Sequence, residues 1–255
     1  MTAAAQTPDY ERILVPVFFQ GAGALGSSWT TTVSIANSGT TAIRFADANL
    51  EVQPCAAACA CGQTNEVAIE SVNRLCILNA NPAGLILYRD KSSGASEDVH
   101  FGGRIADVSR TSDTAGTELK IVRESELRAY RIVLPDIPIG ANYRVALRVF
   151  DARPFPGIAV TMRIHDRADL FSSIVEDGIP LTATTDVVNG RPLHPSFAMI
   201  PDVAAAYPQL AGHGVVTIEL LLPEPLISPP RPPAYWAVTS ITNNTTQQVT
   251  MVTPQ

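Results

Sequence analysis

The chain has 255 residues, 46% of them hydrophobic, so it can bury one large core or two of ordinary size. Only 16% of the residues are charged and the formal net charge is −6, which excludes the global basic field that attracts nucleic acid or anionic membranes. No run approaches the roughly 18 consecutive apolar residues that a membrane-spanning helix requires, so no transmembrane segment is predicted.

The first residues resemble the end of a secretory signal. Ala3, Ala4, Ala5 and Gln6 match the small-residue tail of such a signal, although the apolar segment that should precede them is missing. Only two of the 18 basic residues are lysines, a composition that indicates a GC-rich bacterial source. We therefore expect an extracellular or periplasmic bacterial protein whose signal peptide has been removed. A cytosolic protein with a disordered tail is the alternative, and residues 1–10 are predicted to be flexible in either case.

Hydrophobic and polar side chains then alternate in one short run after another. Period two is typical of a strand with one buried and one solvated face. The predicted strands of the first half are residues 12–19, 28–37, 42–52, 66–71, 85–89, 98–108 and 117–123. Seven strands are the number found in an immunoglobulin-like sandwich.

Three positions in these strands interrupt the regular pattern. Pro16 cannot donate a backbone hydrogen bond, so the first strand is predicted to lie at a sheet edge or to switch sheets there. The hydrophobic parity changes near Asp47, which predicts a β-bulge. Gly102 and Gly103 predict a second bulge or bend.

The glycines of residues 21–26 match the Gly-x-Gly-x-x-Gly fingerprint of dinucleotide-binding proteins. That chemistry requires a helix whose N-terminal amides face the pyrophosphate. The residues that follow are rich in β-branched side chains, which favour a strand. We therefore predict a flexible connection between strands here, and no cofactor.

The next strand carries the one family resemblance in the sequence. Trp29-Thr-Thr-Thr-Val-Ser-Ile-Ala-Asn-Ser-Gly-Thr40 resembles the strand–turn–strand of cell-adhesion-related immunoglobulin-like modules of bacterial exoproteins. The resemblance covers this strand and its flanks, implies a secreted β-sandwich and transfers no functional residue. Within the chain, Val33 to Asn37 also echo Thr239 to Asn243, which suggests two related halves or convergence on one turn chemistry.

Four cysteines follow in one region. Cys55, Cys59 and Cys61 lie within seven residues, and 14 residues separate Cys61 from Cys76. An even number in a secreted protein predicts two disulfides. A bond between Cys59 and Cys61 would be strained, so Cys76 is expected to pair with one of these two. The spacing does not match a zinc or iron–sulfur site, although metal ligation and free thiols remain alternatives.

The alternation lapses in the charged stretch 123–128, where we place a domain boundary. Residues 11–125 are predicted to form a first β-sandwich with the cysteine-rich loop, and residues 126–255 a second. The strands of the second half are predicted at 130–134, 143–151, 158–166, 171–175, 179–184, 196–200, 215–222, 234–242 and 248–253. Helix is expected only near 203–210, and residues 229–233 predict a polyproline linker. The fold class is therefore all-β, with two immunoglobulin-like antiparallel sandwiches.

Arginines occupy polar positions of three successive strands in this second half. If these strands are neighbours, the guanidinium groups share one sheet face that could bind an acidic polysaccharide or another subunit. The alternative is that each arginine pairs with a nearby carboxylate and keeps the sheet soluble. The residues concerned are Arg131, Arg144, Arg148 and Arg163.

No catalytic or metal-binding residue is predicted. The histidines are scattered, and a general base at His165-Asp166 or a glycosidase pair at Glu176-Asp177 is less favoured than ordinary strand-end turns. The four histidines are His100, His165, His194 and His213.

The sequence thus predicts a non-enzymatic secreted protein with a structural or adhesive role. Its expected partners are itself, another surface protein or a glycan, bound through sheet faces or through the edge strands 12–19 and 248–253. The alternative is a carbohydrate-binding or polysaccharide-active accessory module, which requires exposed coplanar aromatic side chains.

Overall fold

The computed structural model of the protein describes residues 9–22, 26–46, 48, 50–52, 64–75, 83–109, 116–153, 158–167, 169–184, 186–223 and 233–254. The chain forms several antiparallel sheets, as the all-β prediction requires. It divides into two compact units, Met1–Glu124 and Ser125–Gln255, at the charged stretch where the alternation lapses. That each unit is an independent domain stays a prediction. The four cysteines lie outside the described residues, so their pairing also stays a prediction.

The first unit contains two sheets, with the orders β11-β1-β8-β4-β6 and β10-β9-β3-β7-β5, and one further strand, β2, pairs with β3. Side chains of alternate positions are buried, among them Ile13 on β1 and Val33 and Ile35 on β3. Short 3₁₀ turns occupy Ser96–Asp98 and Glu124–Glu126. The described strands are β1 (Tyr10–Val15), β2 (Gln20–Ala22), β3 (Ser28–Asn37), β4 (Ile43–Ala46), β5 (Leu50–Val52), β6 (Glu66–Val67), β7 (Ser71–Leu75), β8 (Leu85–Asp90), β9 (Val99–Asp107), β10 (Thr117–Glu118) and β11 (Val122–Arg123).

The second unit contains two four-stranded sheets, with the orders β12-β19-β14-β15 and β18-β13-β20-β21, and the two-stranded ribbon β16-β17. A 3₁₀ turn follows the helix at Pro208–Leu210. The described elements are β12 (Arg131–Pro138), β13 (Tyr143–Asp151), β14 (Ala159–Asp166), β15 (Asp169–Pro180), β16 (Val187–Val188), β17 (Arg191–Pro192), β18 (Ser196–Ile200), α1 (Val203–Ala206), β19 (Val215–Leu221), β20 (Tyr235–Asn243) and β21 (Val249–Val252).

The core of the second unit lies between its two four-stranded sheets. Val145, Leu147 and Val149 on β13 pack in the same hydrophobic cluster as Met162 on β14 and Ile218 on β19. The predicted alternation of β13 is confirmed, because these three valine and leucine side chains are at most 1% exposed. Inward residues of both sheets thus form one apolar layer, as in a β-sandwich.

Both units have the same strand order. In chain order, β1-β8-β4-β6 corresponds to β12-β19-β14-β15, and β7-β3-β9-β10 corresponds to β18-β13-β20-β21. In a constant-type immunoglobulin domain the first two strands are neighbours in one sheet. Here β1 and β3, like β12 and β13, lie in different sheets. The immunoglobulin-like order predicted from the sequence is therefore not observed.

The internal echo between residues 33–37 and 239–243 does not join equivalent strands. The common order matches β3 with β13 and β20 with β9. What the two segments share is turn chemistry: Asn37 Oδ1 accepts a hydrogen bond from the Gly39 N–H at 2.9 Å, and Asn243 Oδ1 accepts one from the Thr245 N–H at 2.8 Å. An asparagine side chain that closes such a turn recurs for local reasons.

The chain switches sheets at Pro16, as one of the two alternatives predicted. β1 ends at Val15, and β2 pairs with β3 in the other sheet. The first strand is not an edge, because β1 lies between β8 and β11. The C-terminal strand β21 is at an edge, paired with β20.

Other irregular positions differ from the prediction. The predicted strand 42–52 is two strands, β4 and β5, that belong to different sheets, so its change of parity reflects a sheet switch. β9 pairs with β3 in regular register through Gly102 and Gly103, so no bulge exists there. A Cβ atom on Gly103 would lie 2.5 Å from the Leu119 carbonyl oxygen, so close backbone approach requires this glycine.

The strand boundaries between residues 169 and 184 also differ from the prediction. Residues 171–175 and 179–184 were predicted as two strands, whereas β15 is continuous from Asp169 to Pro180. Register shifts in its pairing with β14 absorb the irregularity. The helical prediction near 203–210 is confirmed by α1 and the 3₁₀ turn.

Candidate functional site

The four arginines of the predicted binding face do not share one sheet. Arg131 on β12 and Arg163 on β14 belong to one sheet of the second unit, and Arg144 and Arg148 on β13 belong to the other. A single face required β12, β13 and β14 to be neighbours, and this condition is not met, because none of the three is hydrogen-bonded to another. Binding through some of these arginines stays a prediction.

Arg131 and Arg163 are paired with carboxylates of their own sheet. Arg131 Nε lies 2.5 Å from Glu219 Oε1, and Arg163 Nε lies 2.9 Å from Glu176 Oε2. The hydrogen bond that Arg163 donates to Glu176, together with the charge of Glu176, raises the pKa of the Arg163 guanidinium. The alternative reading, in which outward arginines are neutralised locally, thus holds for these two residues.

His165 lies in the same polar network. Its Nε2 atom is 3.2 Å from Glu219 Oε2, and its Nδ1 atom is 3.2 Å from the Ser172 carbonyl oxygen. The ring is buried, and both nitrogens face oxygen atoms of the protein. This arrangement favours a structural role for His165 over proton transfer with a substrate.

Arg144 and Arg148 are in a different electrostatic situation. Among the residues that the structure describes, neither has a carboxylate within ion-pair distance. Arg148 is half-buried, and its Nη1 donates a hydrogen bond to the Ser240 hydroxyl at 3.0 Å. Burial lowers the pKa of the Arg148 guanidinium. A partly desolvated cation without a counter-charge makes this face the strongest candidate for binding an anionic group.

A second candidate surface is the strand β15 at the end of its sheet. It has 12 residues and, within the described part of the chain, pairs only with β14. Phe171 near its start is fully exposed. Asp169 accepts hydrogen bonds from the Ser172 hydroxyl and from the Phe171 and Ser172 N–H groups, which lowers the pKa of the Asp169 carboxyl. The backbone that presents Phe171 is therefore held by local hydrogen bonds.

One cleft of about 580 Å³ lies in the second unit near Tyr143 and His213. His213 Nδ1 is 2.7 Å from Asp166 Oδ2 at its rim. The other polar groups serve the fold, since Asp202 caps α1 by accepting from the Ala204 N–H at 3.1 Å. The second carboxylate of this cleft, Asp202, is held in the α1 cap, so it does not complete a catalytic constellation with the pair of His213 and Asp166.

Another cleft of about 490 Å³ lies between β15 and β18. The Tyr207 hydroxyl donates a hydrogen bond to Asp177 Oδ2 at 2.8 Å across it. Burial and this hydrogen bond raise the pKa of Tyr207 to about 12. Asp177 is therefore engaged with a tyrosine and not with Glu176 as a glycosidase pair.

The remaining candidate motifs have structural partners. His100 Nε2 is 2.9 Å from the Ser38 hydroxyl, and His194 Nε2 is 3.6 Å from Asp186 Oδ2. The glycine-rich segment joins β2 to β3, so the structure that follows it is a strand. In the described part of the chain, no group of three His, Cys, Asp or Glu side chains could hold a metal ion.

The described residues contain no helix that is long and apolar enough to span a membrane. No protein-family model, curated protein or solved structure matches the chain. Functional conclusions therefore rest on the geometry of the surfaces described above.

Proposed function

We propose that the chain is a non-enzymatic binding protein with a structural or adhesive role outside the cytoplasm. The observation that carries this proposal is β15, a strand of 12 residues at the end of its sheet. A strand edge with free backbone N–H and C=O groups pairs readily with a strand of another molecule.

Residues 175–180 of β15 pair with β14 in regular register, and β15 lacks most of the features that usually block pairing at its free edge. Native edges are commonly protected by lysine, proline or a bulge. β12, at the opposite end of the same sheet, has Pro135 and a bulge at Asp136, whose φ is 55°. β15 contains no lysine, and its one proline is the terminal Pro180. The fully exposed Phe171 adds an apolar anchor.

A second copy of the chain is the partner to test first. Sedimentation velocity of the wild-type protein over a range of concentrations should show association. A double variant with Phe171→Ser and Ser173→Lys should remain monomeric, because it loses the anchor and gains an edge charge. Val108→Ser, which removes another exposed apolar side chain from the first unit, is the matched control. A wild-type protein that is monomeric at every concentration would contradict the proposal of self-association.

The carbohydrate-binding alternative lacks a specific supporting observation. Sugar-binding faces use exposed aromatic rings that lie side by side, whereas Trp236 and Phe150 are buried and Trp29 is half-buried, with its Nε1 donating to the Ser27 hydroxyl at 2.9 Å. Phe171, Tyr130 and Tyr143 are exposed, but in the described part of the chain no ring contact joins any two of them. A glycan array tests this alternative directly.

The proposal includes two disulfides among Cys55, Cys59, Cys61 and Cys76, as expected of a secreted chain. Thiol titration of the unfolded protein should then detect no free thiol before reduction and all four after it. Four free thiols before reduction would contradict the location outside the cytoplasm.

A further inference from the structure

One face of the sheet β18-β13-β20-β21 is turned away from the hydrophobic cluster between the sheets, and its residues can be identified from the register. Residues directly opposite each other in antiparallel strands share a face. Arg148 is opposite Met199 on β18 and Val238 on β20, and Arg144 is opposite Thr242. Between the two arginine positions lie the small side chains of Ala146 and Ser240, which are also opposite each other. The Arg148 guanidinium reaches towards this middle, because its Nη1 donates to the Ser240 hydroxyl at 3.0 Å.

The two arginines are spaced along one strand. Four residues at about 3.3 Å each put the Arg144 and Arg148 positions about 13 Å apart on the same side of β13. Within the part of the chain that is described, no carboxylate pairs with either residue. Arg131 and Arg163, on the other sheet, each have one within 2.9 Å.

The surroundings of Arg148 are apolar. Met199 is 43% exposed, and Val238 is buried next to the arginine. Phe150 and Phe197 continue the same face, with ring centroids 5.4 Å apart. Arginine next to methionine and aromatic side chains is typical of the centre of a protein–protein interface. Phe150 is fully buried and Phe197 is half-buried against it, which leaves little ring surface for sugar stacking.

We propose that this face, defined by Arg144, Arg148 and Met199, binds an acidic segment of a partner protein. The guanidinium groups of Arg144 and Arg148 each bind a carboxylate of that segment. Met199, opposite Arg148, packs against an apolar side chain of the same segment. This surface is distinct from the β15 edge, so it adds to the proposed function a partner of defined chemistry.

Fluorescence anisotropy with the full chain tests the proposal. The probe is a labelled extended peptide that contains two glutamates and a leucine, in about 0.15 M salt. The matched peptide has glutamines in place of the glutamates. We expect the glutamate peptide to bind and the glutamine peptide to bind about tenfold more weakly or not at all.

Arg148→Met keeps the apolar stem and removes the charge, so binding should weaken about tenfold or more. Arg148→Lys keeps the charge without the planar fork and should bind with intermediate affinity, which guards against a folding defect in the first variant. Arg163→Gln is the matched control, because it removes an arginine that is already paired on the other sheet. Its affinity should equal that of the wild type.

Two results would overturn the proposal. One is a glutamate peptide that binds no better than the glutamine peptide, or whose affinity is unchanged in Arg148→Met. The other is polygalacturonate binding through Arg148 more tightly than the peptide, which would assign the face to an acidic glycan. The assay uses protein concentrations below those of self-association. Failure of the peptide to bind would therefore not contradict self-association through β15. In the same way, a protein that stays monomeric would not contradict peptide binding at Arg148.

Discussion

The two units share a strand order but differ in how their sheets end. In the first unit, the three-residue strand β5 pairs with β7, and the two-residue strand β11 pairs with β1. The equivalents of β7 and β1 in the second unit, β18 and β12, have no such additional strand among the described residues and lie at sheet edges. The strand equivalent to β15 is β6, which has two residues. In the second unit β12, β15, β18 and β21 end their sheets. One topology thus supports a unit with short edges and a unit with long edges available for binding.

The two units also differ in their buried interactions. In the first, Glu11 accepts from Arg89 Nε at 2.7 Å and from Arg123 Nη1 at 3.2 Å, which links β1, β8 and β11. Arg123 Nη1 also donates to the Ser96 hydroxyl at 2.6 Å, and its guanidinium lies 5.3 Å from the Phe101 ring centroid. In the second unit, a buried ion pair at 2.6 Å joins Asp151 and Arg153, which are two positions apart in the sequence. In the first unit, an ion network therefore links β1 to the strands on both of its sides, β8 and β11.

The largest effect is expected from Glu11→Gln. Arg89 and Glu11 are both buried, so the substitution leaves a buried cation without its counter-charge and should lower the free energy of unfolding by about 3–5 kcal/mol. Each unit contains one tryptophan, and urea unfolding followed by Trp29 fluorescence in a Trp236→Phe background reports on the first unit.

Glu66→Gln in the same background is the control for Glu11→Gln. Glu66 is exposed and 3.9 Å from Arg44, so its loss should leave the transition unchanged. Equal stability of the two variants would show that the buried network does not distinguish the first unit.

Leu147→Ala should produce the corresponding effect in the second unit. Leu147 is fully buried in the cluster between the sheets, and truncation of such a leucine costs about 2–5 kcal/mol. Trp236 fluorescence in a Trp29→Phe background should show the earlier transition. Trp29 fluorescence in the converse background should be unaffected if the units unfold separately. Val187→Ala, at a position 50% exposed, is the control.

Alternation along the chain was sufficient to locate many strands. The predicted bounds of 28–37, 143–151 and 196–200 are those of β3, β13 and β18. The alternation is clearest in β13, where Val145, Leu147 and Val149 are buried. The pattern contains no information about which strand is the neighbour. The sheet switch between β4 and β5 was therefore interpreted as a bulge, and three successive strands were taken as adjacent.

The candidate surfaces depend on long-range pairing in the same way. Glu219 lies 88 positions after Arg131, so nothing local could indicate that it neutralises this arginine. The sequence also could not predict that Arg148 lacks a nearby carboxylate, because Asp151 is only three positions away and could have been its partner. Asp151 instead pairs with Arg153 at 2.6 Å. The sequence did not predict one long strand β15, because Gly178 and the register shifts interrupt the alternation of polar and apolar residues.

A smaller, pH-dependent effect is expected where α1 meets the edge of the second unit. The pKa of Tyr207 is raised to about 12 by burial and by its hydrogen bond to Asp177, against about 10 in the unfolded chain. The neutral phenol is thus favoured in the folded state. Its contribution to stability is fully present below pH 10 and is lost as the pH rises from about 10 to about 12.

Ultraviolet absorbance of tyrosinate should show a late-titrating phenol that is absent in Tyr207→Phe. Asp177→Asn should move this titration to lower pH without abolishing the shift, because burial, the larger cause, remains. An unchanged titration in Tyr207→Phe would contradict the assignment.

The smallest effect is expected from Glu176→Gln on the long strand β15. Glu176 and Arg163 form an ion pair at 2.9 Å, as Glu11 and Arg89 do at 2.7 Å, but both members of the pair on β15 are exposed. Water solvates each charge when its partner is removed, so the Trp236 unfolding transition should not change measurably. Self-association should persist as well, because the variant keeps Phe171 and the backbone edge. If Glu176→Gln destabilised the second unit as strongly as Glu11→Gln destabilises the first, burial would not explain the difference between the units. The geometry of the ion pair alone would then have to account for it.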